Sequence, residues 1–414
     1  MPKIWIPNIE EILELGESQE YLLLEKMSSM MPGFLVSLKE GDVFVSPSCI
    51  GEDFVAYLER LMGFTKSIKI IECTNRMKPF RLVEAILSDT EIISELKRIV
   101  TNGEWAVQAY YDSPLIHKLA AELNISPGQN ADENVVRTLI PAINNKYRFK
   151  LLMAELGIAT VNGVFAGCRR ELSAAVKKMS VVDQPIMVRK CVSGGGLGNL
   201  ALAIPEDYER LEHWYHDSEV LVEPYLNIAQ TLGSLAVVTE DGCRFLGIDE
   251  QLLEGSRWIG FRYPCNSKHN ETIENGTLKL AEFVRANGGY GYINIDWAVT
   301  VEGECLALEC NYRQNGFSRV LNLATRLLGE RARGMHIIYC ESISCRDGCS
   351  FQELSERLSL VEIQGKKVLI DTPGMKSGAV MVSPPSRGRV ALGIFGPDPE
   401  YAETVFNKCR TALS

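Results

Sequence analysis

The chain has no lysine- or arginine-rich run, no long apolar stretch and few histidines, and each shortage closes off a class of function. Its 43 Lys and Arg residues stand against 53 Asp and Glu, a net charge of −10, whereas a nucleic-acid partner requires a basic footprint. Nucleic acid is therefore not an expected partner. A membrane helix takes about 20 consecutive apolar residues, and the sequence contains no such run. Residues 1–15 hold prolines, an asparagine and several glutamates where a secretory signal would place an apolar stretch behind a basic start. The expectation is a soluble, cytoplasmic protein. The 5 histidines form no triad pattern, so no side-chain nucleophile stands out. The 12 cysteines include no Cys-x-x-Cys pair and read as reduced thiols. His336, Cys340, Cys345 and Cys349 are ligand types that zinc accepts, but they also read as the end of an apolar helix running into a cysteine-containing loop.

Against these absences stands a polar hairpin. Residues 292–301 and 305–311 are apolar runs of strand length joined by Val301-Glu302-Gly303-Glu304. Side chains alternate along a strand, so Glu309, Asn311 and Arg313 project to one side, Cys310 and Tyr312 project to the other, and Asp296 can face the first set. Magnesium prefers one or two carboxylates together with substrate phosphates, and two carboxylates with one amide oxygen meet that demand. Arg313, one step beyond, is placed for phosphate or for charge developing in a transition state.

Upstream, the short apolar strand 185–190 ends at Arg189-Lys190 and runs into Ser193-Gly194-Gly195-Gly196-Leu197-Gly198-Asn199, then into a further apolar stretch at 200–204. Glycine lets backbone amides approach phosphate oxygens, and a cation at the strand end adds charge. The loop is neither a Walker loop nor a dinucleotide fingerprint, because no Gly-Lys-Ser/Thr follows and the next pattern is a strand. A third segment, Val220-Leu221-Val222-Glu223-Pro224-Tyr225-Leu226, is an apolar strand that can present backbone groups to a purine. Taken singly, the three segments also read as a solvated hairpin, a flexible hairpin tip and a plain buried strand.

Taken in order, they resemble the ATP-grasp superfamily. A lysine opens a helix at Asn145-Lys146-Tyr147-Arg148-Phe149-Lys150, Gly157-Ile158-Ala159-Thr160 follows, and then come the cation with its glycine loop, the glutamate strand and the Asp, Glu-x-Asn-x-Arg hairpin, over residues 140–335. The resemblance implies ATP and magnesium as cofactors. It assigns phosphate contact to Lys146, Lys190 and the loop Ser193 to Gly198, adenine binding to Glu223, Pro224, Tyr225 and Leu226, and magnesium to Asp296, Glu309 and Asn311. Arg313 would meet the acyl phosphate. Of the pair Arg189-Lys190, Lys190 is preferred for its distance to the glycine loop, and aspartate stands at 296 where many members have glutamate.

The rest of the chain fits an α/β class. Residues 1–143 alternate helical and strand patterns, with a helix at 8–30, strands at 34–38, 42–45, 67–71 and 105–110, and helices at 51–63, 80–99 and 115–123. Ser113 is a plausible cap and Pro114 a first helical residue. This region would be a preATP-grasp domain. Tyr110-Tyr111-Asp112-Ser113-Pro114 and Ala131-Asp132-Glu133-Asn134 resemble peptide ligases of the pheganomycin-synthesis type. The ATP-grasp core would span 144–335, as two α+β subdomains at 144–226 and 227–335, and a small α+β domain would occupy 336–414. The polar segment 250–275 reads as a lid or substrate loop ahead of a helix at 277–287. Its Arg257 and Arg262 are candidates for a substrate carboxylate or the acyl phosphate, beside Trp258, Phe261 and Tyr263. A helix is expected at 319–340, and beyond it a helix at 350–358, strands at 366–371, 378–383 and 390–395, and a helix at 399–413. The implied activity is an ATP-dependent ligase that joins an amino-acid carboxylate to the amine of an amino acid or peptide through an acyl phosphate, in specialised metabolism, with a homodimer possible as in relatives.

Overall fold

The computed structural model describes residues 1–12, 30–73, 81–180, 184–196, 198–203, 207–215 and 218–414. The N-terminal region is a four-stranded parallel sheet of β1 (Lys3–Ile6), β2 (Val43–Ser46), β3 (Lys69–Glu72) and β4 (Ala106–Ala109), in the order β3-β2-β1-β4. Helices Glu52–Met62, Leu82–Ser88, Thr90–Val100 and Pro114–Leu123 pack around it. Their ends follow local chemistry. Gly63 closes the first helix in a left-handed conformation, and Ser113 accepts from the Ile116 N–H with Pro114 at the first helical position. Two expectations change here. Residues Met31–Ser37 form a 3-10 helix in place of the strand expected at 34–38, with Pro32 in its first turn, where the missing N–H and fixed φ favour a helical start. Most of the helix expected at 8–30 lies outside the described residues, and its first part, Ile9–Ile12, is also 3-10.

Helix Lys146–Glu155 begins the next unit, its cap Asn145 accepting from the Tyr147 and Arg148 N–H groups. The unit's antiparallel sheet contains β5 (Val164–Ala166), β6 (Ile186–Lys190), β7 (Asn199–Leu202) and β8 (Val220–Pro224), in the order β5-β8-β6-β7. Helices Arg169–Met179 and Tyr208–Trp214 cover one face, burying Ile186, Val188, Val220 and Val222. The other face carries Arg189 and Glu223 beside Met187 and Leu221.

Opposite stands an eight-stranded antiparallel sheet. Its first strands are β9 (Ile228–Thr239), β10 (Gly242–Glu254), β11 (Arg257–Tyr263), β12 (Gly291–Thr300), β13 (Cys305–Tyr312) and β14 (His336–Ser344). After a two-strand ribbon of β15 (Glu362–Ile363) and β16 (Lys366–Lys367), β17 (Gly378–Met381) and β18 (Arg389–Gly396) complete it. The order is β13-β12-β9-β10-β11-β14-β18-β17. Two sequence expectations fall to this sheet. The segment 250–275 is largely strand, with β10 paired to β11 and the following helix starting early, at Asn270–Ala286. The expected helix 319–340 is a helix only over Gly316–Leu328, and its remainder becomes β14, paired with β11 and β18. The strands of residues 336–414 thus extend the sheet that residues 227–335 begin. They also share a core with the N-terminal region, where the Tyr57 hydroxyl donates to the Ile370 carbonyl at 2.8 Å and accepts from the Met381 N–H at 3.2 Å. Among the described residues, no helix is long and apolar enough to cross a membrane, and no disulfide links the twelve cysteines.

Candidate active site

The facing sides of the two antiparallel sheets enclose a cavity of about 1390 Å³ lined by Arg189, Glu223, Asp296, Glu309, Asn311 and Arg313, among others. A bulge aligns its acids. Between Trp297↔Ala307 and Asp296↔Glu309 the register of the β12–β13 hairpin shifts by one, leaving Leu308 unpaired. Without that extra residue Asp296 would face Leu308. With it, Asp296 lies directly across from Glu309 and Asn294 across from Asn311. The alternate residues Ile293, Ile295, Trp297, Cys310 and Tyr312 turn into the core behind.

The acids are tightly partnered. Gln251 donates to Asp296 Oδ1 at 2.8 Å, and Asn311 Nδ2 donates to Asp296 Oδ2 at 3.1 Å. Glu309 Oε2 meets Lys146 Nζ at 3.2 Å and the Arg189 guanidinium more closely. Lys146 also donates to the Ser193 hydroxyl at 3.0 Å, which ties the start of the glycine loop to the hairpin. Arg189 Nη1 donates to the bulge carbonyl of Leu308 at 3.2 Å and lies 3.6 Å from Glu223. Burial works against all these charges. It raises the Asp296 carboxyl well above the usual range, with Glu309 and Asp249 adding repulsion. For Glu309 the same burial is overcome by Lys146 and Arg189, which hold its carboxyl low. Lys146 has chiefly that one shared carboxylate to offset its own desolvation, so its ammonium is pushed down. Two half-buried carboxylates and an amide on one face, one carboxyl inclined to keep its proton, form a donor set that a hard divalent cation suits.

Arg313 is fixed on three sides. It donates to Asn144 Oδ1 at 2.8 Å and to the Tyr110 hydroxyl at 3.2 Å, and a third donation goes to Asn311 Oδ1. Tyr110 belongs to the N-terminal region, so that region reaches the site.

The remaining expected residues are distributed unevenly. On β6 the alternation turns Arg189 into the cavity and Lys190 to the opposite face, its Nζ 5.6 Å from the Trp214 ring centroid. The preference for Lys190 was therefore a one-residue error of register. Gly194, Gly195 and Gly196 line the cavity, and a Cβ on Gly196 would stand 2.0 Å from the Ser256 carbonyl of the β10–β11 turn. Gly198 follows at the return into β7, where a Cβ would meet the Ser193 hydroxyl, and Leu197 lies outside the described residues. Pro224, Tyr225 and Leu226 also line the cavity, while the Glu223 carboxylate is buried against Lys150. Arg257 lines it as well, donating to the Ser342 hydroxyl at 2.8 Å and to Glu254. Arg262 does not. It pairs with Glu403 of the final helix Pro399–Leu413 at 2.6 Å, away from the cavity. Among the described residues no three His, Cys, Asp or Glu side chains gather as a metal cluster, and His336 and Cys340 sit on β14 rather than on a helix.

Sequence reasoning passed over Asp249. It is buried, its Oδ1 has no hydrogen-bond partner among the described residues, and it lines the same cavity. Burial raises its carboxyl to about 7. Gly233, which pairs with both Asp249 and Asp296, is glycine because a Cβ there would stand 2.1 Å from Asp249 Oδ1. A buried aspartate in the apolar run of β10 was the available signal.

Comparison with known proteins agrees with this architecture. Residues 31–125 match the Pre ATP-grasp domain. A stretch of 113 residues is 29% identical to L-propargylglycine--L-glutamate ligase of Streptantibioticus cattleyicolor, covering 27% of this chain and 23% of that protein. N5-carboxyaminoimidazole synthetase from Staphylococcus aureus, complexed with ADP, superposes with a TM-score of 0.59 at 12% identity, over 99% of this chain and 97% of that one. The biotin carboxylase domain of Hydrogenobacter thermophilus 2-oxoglutarate carboxylase, in complex with MgADP, ADP and bicarbonate, gives 0.57 at 13% identity, over 95% of this chain and 86% of that one. At such identities the likeness is one of fold.

Proposed function

From an ATP-grasp fold that carries a Pre ATP-grasp domain at residues 31–125, we propose an ATP-dependent carboxylate-amine ligase that forms a peptide bond between amino acids, or between an amino acid and a peptide. One observation carries the reading. Asp296 and Glu309 face each other across β12 and β13, with Asn311 and Arg313 alongside at the end of β13 and Lys146 and Arg189 converging from two other parts of the chain. Lys146, Arg189 and the backbone of the 193–198 loop are suited to the phosphates of ATP, and the cavity-lining segment 224–226 to its base. Asp296, Glu309 and Asn311 would hold magnesium, which supplies charge neutralisation to the phosphates when bound.

The chemistry asked of the protein is then positioning. A carboxylate oxygen of the first substrate attacks the γ-phosphorus, ADP leaves, and an acyl phosphate results. The amine of the second substrate attacks the acyl carbon, phosphate leaves, and the amine loses a proton. Arg313, braced by Asn144 and Tyr110, is placed to bind the transferred phosphoryl oxygens through both steps.

The relative from Streptantibioticus cattleyicolor favours amino-acid substrates, whereas the whole-chain likeness to N5-carboxyaminoimidazole synthetase favours a carboxylase or purine-pathway ligase. The test is release of ADP and phosphate with magnesium and ATP, across single amino acids, amino-acid pairs, short peptides and bicarbonate, with mass spectrometry of the products. Condensed amino acids support the first reading. ADP formed only with bicarbonate supports the second, and silence throughout favours a protein that binds ATP without turnover. The domain limits 1–143, 144–335 and 336–414 accompany this proposal.

A further inference from the structure

Arg319 carries a positive charge into the interior without a counter-charge among the described residues. It stands in the first turn of the helix Gly316–Leu328 and is 8% exposed. Its guanidinium carbon lies 4.7 Å from the Phe34 ring centroid and 5.7 Å from that of Tyr339. Nη2 donates to the Tyr339 hydroxyl at 2.7 Å, while the buried Nε–H has no hydrogen-bond partner among the described residues. Two other arginines of the cavity, Arg189 and the half-buried Arg313, are differently placed. Arg189 meets Glu309 and Glu223, and Arg313 is held by Asn144, Asn311 and Tyr110.

A buried guanidinium without an anionic partner is costly. The two rings answer part of that cost through their faces, but they do nothing for an N–H directed in the guanidinium plane. A planar acceptor with two oxygens suits a guanidinium. Arg319, Phe34, Tyr339 and Ser383 line the same cavity as Asp296 and Glu309, so a ligand that meets the guanidinium there shares the reaction space. Trp258 shapes the wall between. Its indole occupies the position of a Cβ on Gly316, 2.5 Å away, which seats it on the start of the arginine's own helix. Phe34, Tyr339 and Trp258 supply aromatic surface beside the Arg319 guanidinium.

We propose that Arg319 receives a substrate carboxylate that is not activated, the free α-carboxylate of the amine-bearing amino acid or peptide. This rests on the ligase reading above and assigns the acceptor's end of the cavity. A second carboxylate on the activated substrate offers the same chemistry, and the experiment separates the two.

The test measures binding before turnover. The full chain, with magnesium and a non-hydrolysable ATP analogue, is titrated with the twenty amino acids, simple dipeptides and their C-terminal amides, following tryptophan fluorescence and calorimetry. Expected is binding of at least one free acid, on the order of tenfold or more tighter than its amide, with Arg319→Met reducing affinity for the acid to that of the amide. Arg319→Lys, which keeps the charge without the planar fork, should fall between them. Affinity for the ATP analogue should stay within about twofold in both variants, a readout that general unfolding would move. Where turnover is found, amidating the acceptor should raise its KM in wild type and have no effect in Arg319→Met. Failure of every free acid to bind, equal binding of acids and amides by the wild type, or unchanged discrimination in Arg319→Met overturns the proposal, as does sensitivity only to amidation of the donor's second carboxylate. Arg319-dependent binding without ADP release would instead leave the carboxylate site standing and remove the ligase reading.

Discussion

Replacing Arg189 and Lys190 by methionine, one at a time, tests the placement of charge in the cavity. Arg189 turns inward and bridges Glu309, Glu223 and the bulge carbonyl of Leu308, whereas Lys190 faces Trp214 on the covered side of β6. If Arg189 gives two charge-assisted hydrogen bonds to a phosphate, each contributing ~1.5–3 kcal/mol, its loss should lower kcat/KM by about 10²- to 10⁴-fold, at ~1.4 kcal/mol per decade. Folding should suffer less than the ~3–5 kcal/mol of a stranded buried charge. Lys146 remains beside Glu309 and Lys150 beside Glu223, so neither acid is left alone. Lys190→Met forfeits a cation–π contact of ~0.5–1 kcal/mol, which should leave kcat/KM within about threefold. Coupled ADP-release kinetics, MgATP titration calorimetry and thermal melts read these quantities. A crippled Lys190→Met beside a near-normal Arg189→Met would refute the assigned facing of β6 and, with it, the phosphate-binding role given to Arg189.

Other consequences are as direct. Gly233→Ala should abolish turnover and lower the melting temperature, because its Cβ would stand 2.1 Å from Asp249 Oδ1 and must displace a buried carboxylate from the row that includes Asp296; unchanged kinetics would contradict that row. Asn311→Ala should lose turnover at least 10²-fold while MgATP still binds, since it removes one oxygen of the donor set and a contact to Arg313; calorimetry beside kinetics separates the two effects. Glu10 supplies a pH dependence. Burial lifts its carboxyl from the ordinary 4.5 to about 8, so the folded chain keeps a proton that the unfolded chain releases. That contribution is full below pH 4.5 and declines by up to ~1.4 kcal/mol per pH unit as pH rises toward 8. Glu10→Gln keeps an acceptor for the Leu82 N–H and should flatten the decline in denaturation curves between pH 5 and about 8.

The parts of this site that were legible in the sequence are those set by local rules. Strand alternation placed Glu309, Asn311 and Arg313 on one face, and Asn145 and Ser113 announced the helices they cap. What escaped was register. Counting from the β9–β10 turn pairs Asp249 with Leu232, and only the shift between Phe245 and Gly247 moves it onto Gly233. The same kind of bulge, at Leu308, sets Asp296 against Glu309. Apolar patterning does not mark where a bulge falls, because the extra residue is accommodated by backbone geometry. The misassigned strands have a related cause. In β11, Arg257 borders the cavity and Arg262 meets Glu403, so charges at both ends of the short apolar run 258–261 made it read as part of a polar segment. In β14, Ile337, Ile338, Tyr339 and Cys340 are all buried, and a strand covered on both faces reads like a buried helix. Arg319 carried no motif at all. Its role depends on Phe34 and Tyr339, which the fold brings to it from distant parts of the chain.

The central claim is that a substrate carboxylate attacks the γ-phosphorus. An amino-acid donor labelled with ¹⁸O in its carboxylate, incubated with the acceptor, MgATP and the full chain, reports this through the phosphorus-31 NMR shift of the products. The account predicts one labelled oxygen in inorganic phosphate for each condensed product, with ADP unlabelled; label in AMP beside pyrophosphate, or product formed with unlabelled phosphate, would contradict it.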